Sequence, residues 1–314
     1  MKIIVTGSKG MLGQYITQVF SDCDLICLDR KELDITNENE VNTKIAQIKP
    51  DVIINCAAYN NVDKAESESE LANLINGYAV GYLAKAAKKV GALFVHFSTN
   101  YVFSGDNKSG YSEEDKPDPQ SAYGASKLLG EQEARKYADK YYIIRTARLF
   151  GKQGSTDDVK KSFVDLILET AEKNNYKIKA VDEEYDLPTY GFDLALKTRE
   201  IIESSSFGDL AKITPQPPLS GGIQTNSPAA RGVSGVSILP YGIYHVVNSG
   251  EPCTWHSFAR EIFDIMQISV EIEKVSGDAF GKRPAKRLKY GALKNTKLKP
   301  MRDWRKTLLE YLIF

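Results

Sequence analysis

A tyrosine and a lysine stand four residues apart, Tyr123 and Lys127, in the run Ser121-Ala122-Tyr123-Gly124-Ala125-Ser126-Lys127. On a helix, which the spacing predicts here, the two side chains share a face. A phenol titrates near about 10, and a neighbouring ammonium stabilises its phenolate and lowers that value. Such a pair suits the reduction of a carbonyl, which needs a proton at the nascent alkoxide. Thr99, in Phe97-Ser98-Thr99-Asn100-Tyr101, adds a hydroxyl able to orient a keto oxygen. A Tyr-x-x-x-Lys spacing alone is common on surface helices, so its weight comes from what precedes it.

What precedes it is Thr6-Gly7-Ser8-Lys9-Gly10-Met11-Leu12-Gly13, a GxxGxxG turn between a strand-like and a helix-like run. Glycines here permit the tight turn, let backbone approach a pyrophosphate, and let helix pack on strand. The helix N-terminus then offers N–H groups and a positive dipole end to phosphate. Asp29 closes the next predicted strand, about 20 residues on, where a carboxylate binds an adenine ribose. The plain alternative is a glycine turn with a capping Asp; the place at the first strand–helix junction favours a dinucleotide. Asp29 suits the ribose hydroxyls of NAD, and Arg30 can stack on adenine or pair with a 2′-phosphate, so NADPH or NADH is expected. Lys127 can then also hydrogen-bond the nicotinamide ribose.

These residues need a frame to converge. Lys2 to Thr6, Leu25 to Asp29, Val52 to Cys56, Leu93 to Ser98 and Tyr141 to Thr146 read as buried strands. Helical patterns lie between them, at Met11 to Phe20, Glu70 to Val90 and Ser121 to Ala138. Strands alternating with helices imply βαβ units and a parallel sheet, whose strands are continuous apolar runs. The expected fold is α/β, a Rossmann-type doubly wound parallel sheet with a smaller α/β substrate-binding lobe. Residues 1–150 form the dinucleotide-binding part, with strands returning near 178–200 and 241–250. Residues 151–177 and 251–314, with helices at Ser162 to Lys173, His256 to Met266 and Trp304 to Leu312, form the lobe over the carboxyl ends of the strands. Ser204 to Pro240 is crowded with Ser, Gly and Pro, shows no period, and far exceeds the usual loop of about 4–6 residues. It reads as a flexible insertion, dispensable for chemistry.

Composition narrows the class. The 314 residues carry 41 Lys+Arg and 41 Asp+Glu, a balance that argues against a nucleic-acid binder. At 42% hydrophobic and 26% charged, the chain is expected to be globular. Its apolar runs fall far short of the roughly 20 residues a membrane helix needs, and no leader is expected. Cys23, Cys27, Cys56 and Cys253 look like small buried hydrophobes rather than a disulfide framework. No metal is expected, and the chain reads as cytoplasmic.

The glycine turn with Tyr-Gly-x-Ser-Lys resembles the extended short-chain dehydrogenases/reductases, and within them the dTDP-4-dehydrorhamnose reductase family of nucleotide-sugar reductases. The likeness rests on Leu28-Asp29-Arg30, Leu33 to Thr36 (LDIT), Pro50 to Tyr59 (PDVIINCAAY) and Val62 to Glu66 (VDKAE). It continues through Asn76, Ser98-Thr99, Tyr101 to Phe103, Tyr123 to Glu131 (YGASKLLGE), Arg145-Thr146, Pro188 to Tyr190 and Asp193 to Ala195. Gly242 to His245, Phe258 to Ile262 and Lys297-Leu298 complete it, so it covers nearly the whole chain except Ser204 to Pro240. The resemblance implies reduction of the C4 keto group of dTDP-4-dehydro-L-rhamnose, with Thr99, Tyr123 and Lys127 catalytic. It implies that Gly7, Gly10, Met11, Leu12, Asp29, Arg30, Asp34, Ile35, Ala57, Ala58 and Tyr59 line the cofactor, with Tyr123 and Lys127. Asn76 either holds its helix and a water near the lysine or satisfies backbone groups. The implied partner is a dTDP-sugar, without nucleic acid or membrane; a homodimer is compatible.

Departures from the pattern bear on the sugar. Asn100 stands where the family usually has Asp, and Arg148 where an aromatic often lies near the sugar. Asn60-Asn61 replace a more usual Thr-Ala. Asn100, Tyr101, Arg148 and Arg287 are the expected substrate contacts, Arg287 through the diphosphate; Arg283-Pro284 keeps the family's dipeptide but not its spacing. The magnesium site of some members has no acidic match here. Two other functions share these motifs. One is a reductase or epimerase on another nucleotide sugar, an epimerase retaining its NAD. The other is a binding module like the regulatory subunit of methionine adenosyltransferase. Fold alone does not separate them.

Overall fold

The computed structural model describes residues 1–155, 161–205 and 239–313. Six parallel strands form the main sheet in the order β2-β1-β3-β4-β5-β9: β2 (Asp24–Leu28), β1 (Lys2–Thr6), β3 (Val52–Asn55), β4 (Leu93–Thr99), β5 (Tyr141–Thr146) and β9 (Gly242–His245). The short apolar runs of β1, β3, β4 and β5 form strands buried on both faces, as the inner strands of a parallel sheet are; β2, expected to be buried as well, lies at the edge and is largely half-buried or exposed. Within β1, Ile3 and Val5 enter the core on one face and Ile4 the core on the other. Helices α1 (Met11–Val19) and α7 (Gly191–Glu203) cover the first face. Helices α2 (Glu38–Ile48), α4 (Ala79–Val90) and α5 (Ala122–Tyr137) cover the second. This is the doubly wound α/β sheet, and the order of its strands reverses between β1 and β3.

Two expectations about elements are corrected. The strand near Ile178 does not return to the main sheet. β7 (Lys177–Val181) pairs instead with β10 (Glu271–Val275), and β6 (Leu149–Phe150) with β8 (Thr189–Tyr190), in two small sheets. The reason is the solvent-facing lysines: Lys177 and Lys179 alternate with buried Ile178 and Ala180, the pattern of a strand with one wet face. The region 241–250 does return, as β9 beside β5. The predicted helix from Glu70 to Val90 is broken into α3 (Ser69–Asn73), one turn of π-helix (Leu74–Tyr78) and α4. Such turns disturb the i→i−4 ladder and gather at functional sites.

The second lobe adds α6 (Phe163–Lys173), α8 (Trp255–Met266) and α9 (Trp304–Ile313). Its apolar side chains, Val164, Phe258, Phe263 and Trp304 among them, are continuous with the core on the α1 face of the sheet. The Ser/Gly/Pro-rich stretch lies, from residue 206 to 238, outside the described residues. On either side of it, Leu239 N–H donates to the Ser204 carbonyl at 2.9 Å.

One buried ion pair fixes α5 against the sheet. Arg145, on β5, donates through Nε and Nη2 to Glu131 of α5 at 2.8 and 2.7 Å, and each side chain is 2% exposed. Ser98 of β4 donates to the same carboxylate at 2.6 Å. Breaking such a pair strands a charge in low dielectric, whereas removing both charges relieves it. Arg145→Met is therefore expected to lose about 3–5 kcal/mol of stability in urea unfolding, and Arg145→Met with Glu131→Met far less. Equal losses in the single and double variants would contradict this account.

Candidate active site

The carboxyl ends of β1, β2, β3 and β4 bring the predicted residues to one edge of the sheet. Gly7, Gly10, Met11 and Leu12 form the β1–α1 junction; Asp29 and Arg30 follow β2; Ala57, Ala58 and Tyr59 follow β3; Thr99 ends β4. Gly7 has φ +65°, and a Cβ there would lie 2.6 Å from the Ala57 nitrogen. Only glycine lets the turn approach the 56–58 segment so closely. The N-terminus of α1 begins at Gly10 with no side-chain cap and no acidic residue in its first turn. Its end is therefore uncompensated and suited to an anion. Beneath it runs a buried polar row: Thr6 donates to Asn55 at 2.7 Å, and the Asn55 amide meets His96 Nδ1 at 3.1 Å.

Asp29 does not stand alone at the end of β2. Its carboxylate is ion-paired with Lys9 of the glycine turn and accepts from Lys31 N–H at 2.8 Å. Both contacts hold its pKa below the usual carboxylate value, the Lys9 bond most strongly. Lys9 went unnoticed in the sequence because it occupies a variable position of the glycine motif. Asp34 folds back on Thr36, accepting from its N–H at 3.0 Å and its hydroxyl at 2.7 Å. Ile35 is buried in the core with Val41.

The helix α5 carries Tyr123 and Lys127 to the same edge. Ser121 caps it, accepting from Gly124 N–H at 3.1 Å, and Glu66 accepts from Ala122 N–H at 2.8 Å. The Thr99 hydroxyl near Tyr123 pulls the phenol's pKa down, but burial dominates and pushes it up to about 12. Its ring meets Tyr101 edge-on at 5.6 Å. Lys127 is 3% exposed and donates to the Phe97 carbonyl at 2.6 Å. Burial lowers its pKa to about 8, against an upward pull from Glu131. At neutral pH the site thus holds a protonated phenol near a threonine hydroxyl, and a cationic amine one helical turn further along the same face of α5. That arrangement can deliver a proton to an oxygen placed between Tyr123 and Thr99.

Asn76, which the sequence also placed among the cofactor residues, bonds backbone and side-chain groups of the protein. Within the π-turn, its side chain accepts from Tyr59 N–H at 2.8 Å and donates to Tyr59 carbonyl and Ser126 hydroxyl, both at 3.0 Å. It ties the 59 segment to α5, with every contact internal to the protein.

The expected substrate residues divide. Tyr101 lies half-buried beside Tyr123, and burial pushes its pKa up. Arg287 forms a two-pronged ion pair with Asp63 and also bonds the Ala285 carbonyl. Asn100 and Arg148 both turn into the protein. Asn100 is 2% exposed and donates to Asp186 at 2.7 Å and to the Gly291 carbonyl at 2.9 Å. Arg148, with its side chain 5% exposed, donates to the Cys253 and Glu184 carbonyls and lies 4.1 Å above the Trp255 ring. The physical reason is burial: each polar group is far from water and takes partners within the protein. Asp63, Glu184, Asp186 and Trp255 were missed as site neighbours, because each reaches the site through a contact distant in sequence. Among the described residues no cluster of metal-ligating side chains occurs, and no helix is long and apolar enough to cross a membrane.

A parallel doubly wound sheet with a glycine turn at its first junction, and a Tyr–Lys pair with threonine at its carboxyl edge, defines a short-chain dehydrogenase/reductase using a nicotinamide dinucleotide. The sequence model of the RmlD substrate binding domain matches residues 1–210 and 229–313, and the chain belongs to this family, that of the dTDP-4-dehydrorhamnose reductases. The unmatched residues 211–228 fall inside the Ser/Gly/Pro-rich stretch. The chain is 32% identical to the spore coat polysaccharide biosynthesis protein SpsK of Bacillus subtilis, over 99% of this chain and 96% of that one. It is 33% identical to a dTDP-4-dehydrorhamnose reductase of Burkholderia thailandensis, over 83% of this chain and 77% of that one. The solved dTDP-4-dehydrorhamnose reductase of Bacillus anthracis in complex with NADP superposes with a TM-score of 0.83 at 33% identity, covering 100% of this chain and 99% of that one.

The buried lysine makes stability depend on pH. Lys127 titrates near 8 when folded and at 10.5 as its ordinary value, so between these the unfolded chain binds the extra proton. Stability therefore rises with pH in that window. Between about pH 8 and 9.5 the native protein is expected to gain about 1–2 kcal/mol in urea relative to Lys127→Met. Parallel pH curves for the two proteins would rule out a buried, depressed Lys127.

Proposed function

We propose that this chain reduces the C4 keto group of dTDP-4-dehydro-L-rhamnose to give dTDP-L-rhamnose, with NADPH or NADH as reductant. The observation that carries this reading is the meeting of Thr99, Tyr123 and Lys127 at the sheet edge above the glycine turn, in a chain of this family. The residues present fit the dinucleotide: the close approach at Gly7 leaves backbone free to meet a pyrophosphate, and α1 offers its uncapped end. Gly7, Gly10, Met11 and Leu12 would hold the phosphates, Asp29 and Arg30 the adenine ribose, and Ala57, Ala58 and Tyr59 the adjoining wall. Asp34 and Ile35 would support the adenine side, and Asn76 would act only by fixing Tyr59.

A nicotinamide dinucleotide held by these residues would supply the hydride that C4 gains. Tyr123 donates its Oη proton to the developing alkoxide, so that the ketone gains one hydride and one proton and leaves as the alcohol. Thr99 steadies the same oxygen with its hydroxyl. Lys127, cationic at neutral pH, favours the phenolate that remains on Tyr123. Tyr101 faces the substrate beside Tyr123, and Arg287 receives the diphosphate while held by Asp63. The protein acts in the cytoplasm, where its four free cysteines stay reduced.

A second reading keeps the chemistry and changes the sugar. Asn100 packs inward beside the catalytic threonine, and Arg148 packs inward beside Asp186, which favours a related 4-keto sugar nucleotide over one fixed substrate. The two are separated by following NADPH oxidation with dTDP-4-dehydro-L-rhamnose generated in the same tube. Turnover is expected, with Tyr123→Phe losing at least about 100-fold in kcat while its NADPH affinity stays within about twofold. Binding of NADPH without turnover would overturn the assignment of this sugar, and a Tyr123→Phe variant of near-normal rate would overturn the role of the phenol.

The Lys9–Asp29 pair bears on the reductant. An unpaired carboxylate repels a 2′-phosphate, and Lys9 offsets that charge. Lys9→Ala is expected to raise the KM for NADPH about tenfold, and that for NADH by less than about threefold. Equal changes for both reductants would exclude the contact.

A further inference from the structure

Three unusual features converge on one side-chain amide. Asp186 is a carboxylate 7% exposed, on the segment between β7 and β8. Its Oδ1 accepts from Leu187 N–H at 2.8 Å; its Oδ2 accepts from Asn100 Nδ2 at 2.7 Å and lies 3.9 Å from Arg148 Nε. Arg148 itself has φ +39°, a left-handed backbone that non-glycine residues seldom adopt and that persists only when its surroundings enforce it. Gly291 completes the set: a Cβ there would lie 2.6 Å from Asn100 Nδ2 and 3.1 Å from Asp186 Oδ2.

Each feature serves the orientation of Asn100. Its Nδ2 has two acceptors, Asp186 and the Gly291 carbonyl, so its Oδ1 must face the other way. There it accepts from the Thr99 hydroxyl at 3.2 Å, a long bond that an incoming carbonyl oxygen can replace. Thr99 also accepts from Tyr101 N–H at 3.2 Å, and its hydroxyl acts on the nearby Tyr123 phenol. A buried path of hydrogen bonds therefore runs from Asp186 through Asn100 to Thr99, next to the phenol. A buried carboxylate is costly to keep in apolar surroundings, and burial holds this one up at about 6. Its retention needs an account that packing does not give.

We propose that Asp186 is a positioning residue of the reductase site: through Asn100 it fixes the Thr99 hydroxyl beside Tyr123, ready to exchange its bond for one to the substrate carbonyl. Arg148 and Gly291 act with it, the first by balancing the carboxylate and the second by leaving room for the amide. The inference rests on the reductase reading above. It also explains the inward turn of Asn100 and Arg148, which leaves them unable to meet the sugar directly.

The test is a cycle of variants in the full chain. Asp186→Asn is expected to lower kcat about tenfold, with NADPH affinity within about twofold and a melting temperature at neutral pH no lower than that of the native protein. Asn100→Asp, which faces two carboxylates at one contact, is expected to lose more than Asp186→Asn; the swap of both residues restores one charge and one amide, and with them kcat to within about threefold. The decisive arm uses Thr99→Val. If Asp186 acts through Thr99, Asp186→Asn costs nothing further in that background, because contacting residues are not additive. The same tenfold loss there, native kcat in Asp186→Asn alone, or a swap no better than the worse single variant would each overturn the proposal. Should the native protein fail to turn over the sugar, the reductase reading falls separately. The side-chain amide signals of Asn100, assigned by Asn100→Asp, then decide the pairing. Protection from exchange lost in Asp186→Asn supports it; protection unchanged overturns it.

Discussion

The catalytic edge hangs on a guanidinium and a carboxylate held together out of water. Glu131 lies on α5 four residues after Lys127 and eight after Tyr123, so all three share one face of the helix. Arg145, which grips Glu131 from β5, stands in register with Ser98 of β4 and His245 of β9. Ser98 adds its own bond to the carboxylate, and Lys127 bonds the backbone of β4 at Phe97. Apolar packing tolerates a helix sliding by a fraction of a turn, whereas a two-pronged ion pair does not. The register that places Tyr123 beside Thr99 is thus set by polar contacts buried at the strand ends. The apolar layers around them supply burial without setting the position.

The same burial sets the protonation of the site. Desolvation disfavours charge, so it moves a phenol up and an amine down. Tyr123 is pushed up and therefore holds its proton at neutral pH, the state a proton donor must start from. Lys127 is lowered, but Glu131 limits the fall and keeps the amine largely charged at neutral pH. The ion pair that positions α5 is in this way also the pair that keeps a cation behind the phenol. Position and charge come from one arrangement, and a change at Glu131 would disturb both.

What the sequence made legible is what local pattern controls. The apolar runs of β1, β3, β4 and β5, the glycine turn, and Tyr123 with Lys127 all follow from spacing within a few residues, and the structure places them together. The pairing of β7 with β10 was not read, although the alternation in Lys177–Val181 carried the signal of a half-wet strand. The π-turn at Leu74–Tyr78 has no such signal; it follows from the Asn76 side chain closing on Tyr59 and Ser126. Least legible were the contacts across the longest stretches of chain. Asn100 meets Asp186 across 86 residues, and Arg287 meets Asp63 across 224. No periodicity encodes a partner at such distance, so neither Asp186 nor Asp63 could be named from the sequence as the partner of these residues.

This division has a consequence for how the site can vary. Tyr123, Lys127 and Thr99 rest on a strand of the main sheet and the helix packed on it, locked by the buried pair. The wall opposite them comes from segments of the second lobe, near Glu184, Asp186, Cys253, Gly291 and Arg287, each joined to the site by one or two polar bonds. Glu184 accepts from Trp255 at 3.0 Å and pairs with Arg283, while its carbonyl and that of Cys253 hold Arg148. A substitution in the first set disturbs a cooperative buried network, whose members cannot be exchanged singly. A substitution in the second rearranges a local contact and reaches the reducing centre only where that contact leads on to Asn100. Asn100 is the one residue that belongs to both, next to Thr99 in the chain and bonded to Asp186 in space. A change at Asp186 is therefore carried to Thr99 through that amide, while a change at Glu184 or Arg283 stays local.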